Sequence, residues 1–122
     1  MHRFHIHLIT DRKSARADLF GTVGGALRGG VNWVQVREKT GPARDLYETA
    51  LRIIPLAREN GAGVMINDRI DVALATGAGG VHLAGKSLPP WVAESCSRIA
   101  SSGLPYTTSM RRARPWTVAW TT

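Results

Sequence analysis

A single cysteine, Cys96, stands among 122 residues. One thiol closes no internal disulfide, so the sequence carries no oxidative framework, and Cys96 reads as a small apolar residue. Long apolar runs are missing as well, and none approaches the roughly 20 residues of a membrane span. The opening Met1-His2-Arg3-Phe4-His5 lacks the apolar stretch of a secretion signal, so a cytoplasmic location is the expectation. Acidic residues are absent from one end. Between Ser97 and Thr122 there are four arginines (Arg98, Arg111, Arg112 and Arg114) and no Asp or Glu. The chain's net charge of +7 is therefore uneven, because the other 12 of the 16 basic residues face 9 acidic ones. Basicity confined to a tail argues against a nucleic-acid partner, and nothing points to a membrane.

Four apolar, β-branched stretches recur at His5 to Thr10, Trp33 to Val36, Gly63 to Ile66 and Gly79 to Leu83. Helical spacing fills the gaps. Leu19, Val23, Ala26 and Leu27 share one face over Asp18 to Leu27. Leu46, Ala50, Ile53, Ile54 and Ala57 share another over Ala43 to Glu59. Asp71 to Ala75 predicts a short third helix, and Trp91 to Ile99 begins a fourth. Pro42 suits the first turn of the second helix, whereas Pro55 is expected to kink that helix or end its regular part. Gly29-Gly30, Gly61 and Gly77 follow helices, as C-terminal caps do. Alternating strands and helices with short connections predict parallel strands, buried on both faces and flanked by helices. Four such units fit a small doubly wound sheet or half of a (βα)8 barrel, since a full barrel takes about 200 residues or more.

In either architecture ligands bind at the C-terminal ends of the strands. Polar residues stand there in all four units: Thr10-Asp11-Arg12, then Gln35, Arg37 and Lys39, then Asn67-Asp68-Arg69, then His82. Gln35, Arg37 and Lys39 alternate and so point to one side of an extended chain. One amide and two cations suit a phosphate, and they equally suit an ion-paired strand end beside Glu38. Asp68 fits a helix N-cap better than a lone Mg²⁺ ligand. His82 fits a half-buried structural histidine or a catalyst. His2, His5 and His7 cluster near one end, with His5 and His7 alternating, but form no convincing metal set.

Together these segments resemble the thiamine phosphate synthase/TenI family. The resembling motifs are Leu8-Ile9-Thr10-Asp11-Arg12, Val34-Gln35-Val36-Arg37-Glu38-Lys39, Ile66-Asn67-Asp68-Arg69-Ile70-Asp71-Val72-Ala73-Leu74 and Gly77-Ala78-Gly79-Gly80-Val81-His82-Leu83. Their order and spacing agree over about residues 5 to 90. The resemblance implies a truncated (βα)8 TIM barrel of about four βα units. It implies thiamine biosynthesis: either coupling of a pyrimidine diphosphate to a thiazole phosphate with release of pyrophosphate, or thiazole tautomerisation. Gln35, Arg37, Lys39 and Asn67 would hold the diphosphate, and Asp68 would ligand Mg²⁺. No catalytic residue is assigned. One departure is Ala84-Gly85-Lys86-Ser87, where the synthase pattern G-Q-x-D carries a second Mg²⁺ ligand and Ser87 stands in its place. The implied partners are small phosphorylated thiamine precursors, and exposed strand edges suggest a homo-oligomer. The alternative is a non-catalytic half-barrel remnant or a phosphate-binding, self-assembling module.

The resemblance assigns residues 1–96 to the N-terminal half of such a barrel and leaves 97–122 as a foreign, non-native or disordered tail. That tail shows no helical or strand period, yet holds Trp116 and Trp120. A shifted reading frame is the expected explanation. Read with the third base of each codon leading, Trp116-Thr117 and Trp120-Thr121 must each give Asp. Tyr106-Thr107 can give only His or Tyr. With G/C-rich codons the frame from Ser102 reads GASLHDVDEARAAVDGGVDY, similar to the family's next segment.

Overall fold

The computed structural model describes residues 4–11, 18–100 and 116–119, with side chains as far as residue 96. The elements in chain order are β1 (His7–Ile9), α1 (Leu19–Arg28), β2 (Trp33–Val36), α2 (Ala43–Glu59), β3 (Gly63–Asn67), α3 (Ile70–Thr76), β4 (Gly80–Leu83), α4 (Pro90–Ala100) and β5 (Trp116–Ala119). The first four strands are parallel and lie side by side in sequence order. This is the expected βα alternation, with β2 and α2 at the residues that periodicity predicts.

Side-chain alternation divides the sheet into two unlike faces. Val34, Val36, Val64, Ile66, Val81 and Leu83 are all buried and join one apolar cluster with Val23 and Leu27 of α1 and Leu46, Ala50, Ile53 and Ala57 of α2. Those helix residues repeat every three or four positions, which is why one stripe of each helix faces the sheet. The opposite face carries His7, Ile9, Trp33, Gln35, Met65, Asn67 and His82. The pairings His7↔Trp33, Ile9↔Gln35, Gln35↔Met65 and Asn67↔His82 place these residues side by side. Burial on both faces holds for β2 and β3 but not for β1, whose His7 and Ile9 are exposed.

Local chemistry explains the boundaries. Asp18 caps α1, its carboxylate accepting from the Phe20 N–H at 3.2 Å. Pro42 precedes α2 in extended geometry. The helix then runs on through Pro55 to Glu59, because packing of Ile53 and Ala57 against the sheet outweighs the one backbone bond that a proline removes. Gly77 ends α3 in the left-handed conformation that a C-terminal cap requires, with φ 69°.

Four residues near the end of the tail form a strand. Trp116–Ala119 pairs antiparallel with Gly80–Leu83 of β4. Trp, Thr and Val favour extended chain, and the open edge of β4 offers unpaired backbone groups. That backbone edge of β4 is thus paired within the chain. The rest of 101–122, and with it Tyr106 and Trp120, lies outside the described residues, as do His2 and Arg12.

Candidate active site

The C-terminal ends of the four parallel strands meet at one rim of the sheet, and the polar residues read from the sequence stand along it. At its centre Gln35 Nε2 donates to Asn67 Oδ1 at 3.0 Å, joining the ends of β2 and β3. Gln35 is 6% exposed, so its amide is held within the sheet face while its neighbours reach outward. Beside β2, a cavity of about 490 Å³ is lined by Ile9, Thr10, Asp11, Arg37, Glu38, Lys39, Thr40 and Asp45. Arg37 and Lys39 are exposed within it. The Thr49 hydroxyl donates to Glu38 Oε1 at 3.4 Å, so that this carboxylate is anchored to α2.

A second cavity of about 590 Å³ lies beyond β3. Asp68, Arg69 and Asp71 line it on one side, and Lys86, Ser87 and Cys96 on the other. Asp68 is not a helix cap, which corrects the first reading. The N-cap position of α3 falls to Arg69, and no side chain caps there. Asp68 instead has φ 66°, the only described non-glycine residue with positive φ. Its N–H donates to the His82 carbonyl at 2.8 Å, extending the β3–β4 ladder one residue past the strand. A left-handed aspartate costs roughly 1 kcal/mol and is commonest where the surroundings require it. Asp71 is committed elsewhere, to Arg69, whose Nε and Nη2 lie 3.0 and 2.6 Å from its carboxylate. That hydrogen bond holds the Asp71 carboxyl below its ordinary range. Ser87 closes its own turn, its hydroxyl accepting from the Ala84 N–H at 2.9 Å.

The rim therefore brings Arg37 and Lys39 together in one cavity, places Asp68 in another, and sets the Gln35–Asn67 pair between them. Sequence reasoning missed Asp45, Thr49 and Lys86. Asp45 and Lys86 enter through folding of loops and helix starts, and Thr49 is legible only as a polar residue on the buried face of α2.

His82 lies on the same face, half-buried. Its pKa is pushed down, first by burial and then by the charges of His7 and Arg37. His7 is also lowered, by burial and then by His5. Histidines with folded pKa values below the ordinary 6.5 stabilise the fold fully above pH 6.5, and that stability is lost as pH falls below it, because the unfolded chain then binds more protons. We expect the urea midpoint to be lower at pH 5.5 than at pH 7.5, and the difference to shrink in His7→Gln. An equal or higher midpoint at pH 5.5 would contradict the partial desolvation of these rings.

Comparison with known proteins identifies the family. The family model described as thiamine monophosphate synthase matches residues 6–103. The chain belongs to that family. A relative from Geobacter sulfurreducens is 52% identical over 91 residues, covering 74% of this chain and 43% of its own. Thiamine-phosphate synthase 1 of Aquifex aeolicus is 44% identical over 88 residues, covering 71% of this chain and 41% of the relative. Among solved structures, thiamine phosphate pyrophosphorylase from Pyrococcus furiosus superposes with a TM-score of 0.71 at 36% identity, covering 76% of this chain and 45% of that one. The chain thus spans under half the length of the family members it matches. Its four parallel strands and four helices have the family's TIM-barrel-like fold. No described helix is long and apolar enough to cross a membrane.

Proposed function

We propose that this chain carries the diphosphate-holding rim of a thiamine phosphate synthase. The substrate would be a pyrimidine diphosphate, coupled to a thiazole phosphate with pyrophosphate leaving. The observation that carries the reading is the joined rim, in which the part-buried Gln35–Asn67 amide pair stands next to a cavity holding Arg37 and Lys39. A diphosphate presents several acceptor oxygens and little else to recognise. Arg37 answers with a planar fork of donors, Lys39 with a compact charge, and the two amides with directed dipoles. As the carbon–oxygen bond to the diphosphate breaks, negative charge grows on the leaving group, and donors fixed beforehand stabilise that charge.

The donor set fits Mg²⁺ only in company with the diphosphate. Asp68 is one exposed carboxylate, Asp71 is engaged by Arg69, and Ser87 offers a neutral hydroxyl that already accepts from the Ala84 N–H. Among the described residues no cluster of three metal-binding side chains exists. Mg²⁺ accepts one or two protein carboxylates when phosphate oxygens and water supply the rest. Asp68 would hold the ion, which would supply neutralising charge to the leaving diphosphate.

Calorimetry tests both parts. Mg²⁺ alone should bind weakly, with no micromolar dissociation constant, whereas pyrophosphate with Mg²⁺ should bind, and binding should weaken in Asp68→Asn. Micromolar binding of Mg²⁺ alone, or pyrophosphate binding indifferent to Asp68, would count against this reading.

A further inference from the structure

The contact between β1 and β2 ends in an unusual bond. Thr10 is 4% exposed, one of the few buried polar residues described. Its N–H donates to the Gln35 carbonyl at 3.0 Å, continuing the parallel ladder one step past β1. The next step of such a ladder would take the Arg37 N–H to the Thr10 carbonyl. That N–H donates instead to the Thr10 hydroxyl oxygen at 3.1 Å. One residue therefore holds the backbone on both sides of Val36, its N–H bonding Gln35 and its hydroxyl bonding Arg37. Around this point both segments, Ile9 to Asp11 and Arg37 to Thr40, line the cavity that holds the two cations.

We propose that Thr10 is a positioning residue for an anion in that cavity: its hydroxyl fixes the Arg37 backbone, and thereby the guanidinium of Arg37, against the phosphate group. The proposal rests on reading the cavity as an anion site. The chemistry is specific to the side chain. Arg37 is exposed, and its long side chain must lose torsional freedom when it binds. Anchoring its backbone beforehand removes part of that cost. The anchor must be an acceptor on a short, stiff side chain, because a β-branched residue keeps few χ1 rotamers. Valine has the shape without the acceptor, and serine has the acceptor with one methyl fewer.

The test compares Thr10→Val, Thr10→Ala and Thr10→Ser in the full chain. Without ligand, exchange of the Arg37 amide hydrogen should quicken in T10V and T10A and stay near the parent rate in T10S. By calorimetry, pyrophosphate should bind about tenfold more weakly to T10V and T10A, as loss of orientation in one ion-binding side chain predicts. T10S should restore most of the affinity. The T10V loss should vanish in the Arg37→Ala background, since a residue acting through Arg37 has nothing left to position. Should T10V fail to fold, T10A against T10S carries the same comparison. Undiminished pyrophosphate binding in both hydroxyl-free variants overturns the proposal, as does a loss that persists in the Arg37→Ala background. If the parent chain does not bind pyrophosphate at all, the anion reading fails and the role of Thr10 falls with it. That failure is distinguishable, because the mutant comparisons presuppose parent binding.

Discussion

Arg37→Ala should weaken pyrophosphate binding by a factor of about 10 to 100, since hydrogen bonds to charged groups contribute roughly 1.5–3 kcal/mol. The folded state should scarcely notice, because the Arg37 side chain is exposed and its backbone N–H, which bonds Thr10, is retained. Lys39→Ala should weaken binding less, a point charge being easier than a bidentate fork for solvent cations to replace. Arg44→Ala is the matched control, because this exposed arginine at the start of α2 pairs with Glu48 at 3.8 Å and does not line the cavity. The comparison also separates a built site from general basicity. Were pyrophosphate held by the arginine-rich tail, deleting the residues after Ser97 would abolish binding and Arg37→Ala would leave it intact. The rim predicts the reverse order of effects.

The second large effect is on stability. Ile53→Ala should cost about 2–5 kcal/mol, the usual range for emptying a fully buried aliphatic site. Ile53 has no exposure and lies on the stripe of α2 that packs against the sheet beside Ala50 and Ala57. For a domain of this size each kcal/mol moves the thermal midpoint by about 4–8 °C, so a fall of about 10 °C or more is expected in calorimetry. Leu51, two positions away and 42% exposed, should tolerate the same truncation with little change. Equal effects at the two positions would mean that α2 does not pack as described.

Much of this architecture is legible in the residues themselves, and the reasons differ by element. The ends of α2 follow from an apolar stripe long enough to leave no competing register, with Pro42 before it and Asn60-Gly61 after it. Only the expected interruption at Pro55 fails, because tertiary packing outweighs a local preference. The polar residues at the strand ends are legible because apolar runs give way to Gln, Arg, Lys, Asn and Asp at equivalent places in successive units. Their mutual geometry is not legible. The Gln35–Asn67 bond depends on the register Gln35↔Met65, which no local pattern reveals. Asp68 misleads for a related reason: its spacing before α3 imitates a cap, whereas the backbone bond to His82 draws it out of the helical path and leaves Arg69 at the boundary. Close packing on the helix-free face is equally hidden. Trp33 lies over Gly63 where a β-carbon would collide with its ring, stacks with His7 at 6.1 Å between centroids, and donates from its indole N–H to His5. The strand at Trp116–Ala119 has no period to announce it, and it forms because β4 offers an edge.

The central claim is that the C-terminal rim of β1 to β4 is an anion site. It is tested most directly by titrating the isotopically labelled chain with pyrophosphate and Mg²⁺ while following backbone amide resonances. The account predicts that shifts concentrate at Thr10, at Gln35 to Lys39, and at Asn67 and Asp68, with His5, Trp33 and Gly63 at the opposite ends of the strands unmoved. Shifts confined to the residues after Ser97, or none at saturating pyrophosphate, would contradict it.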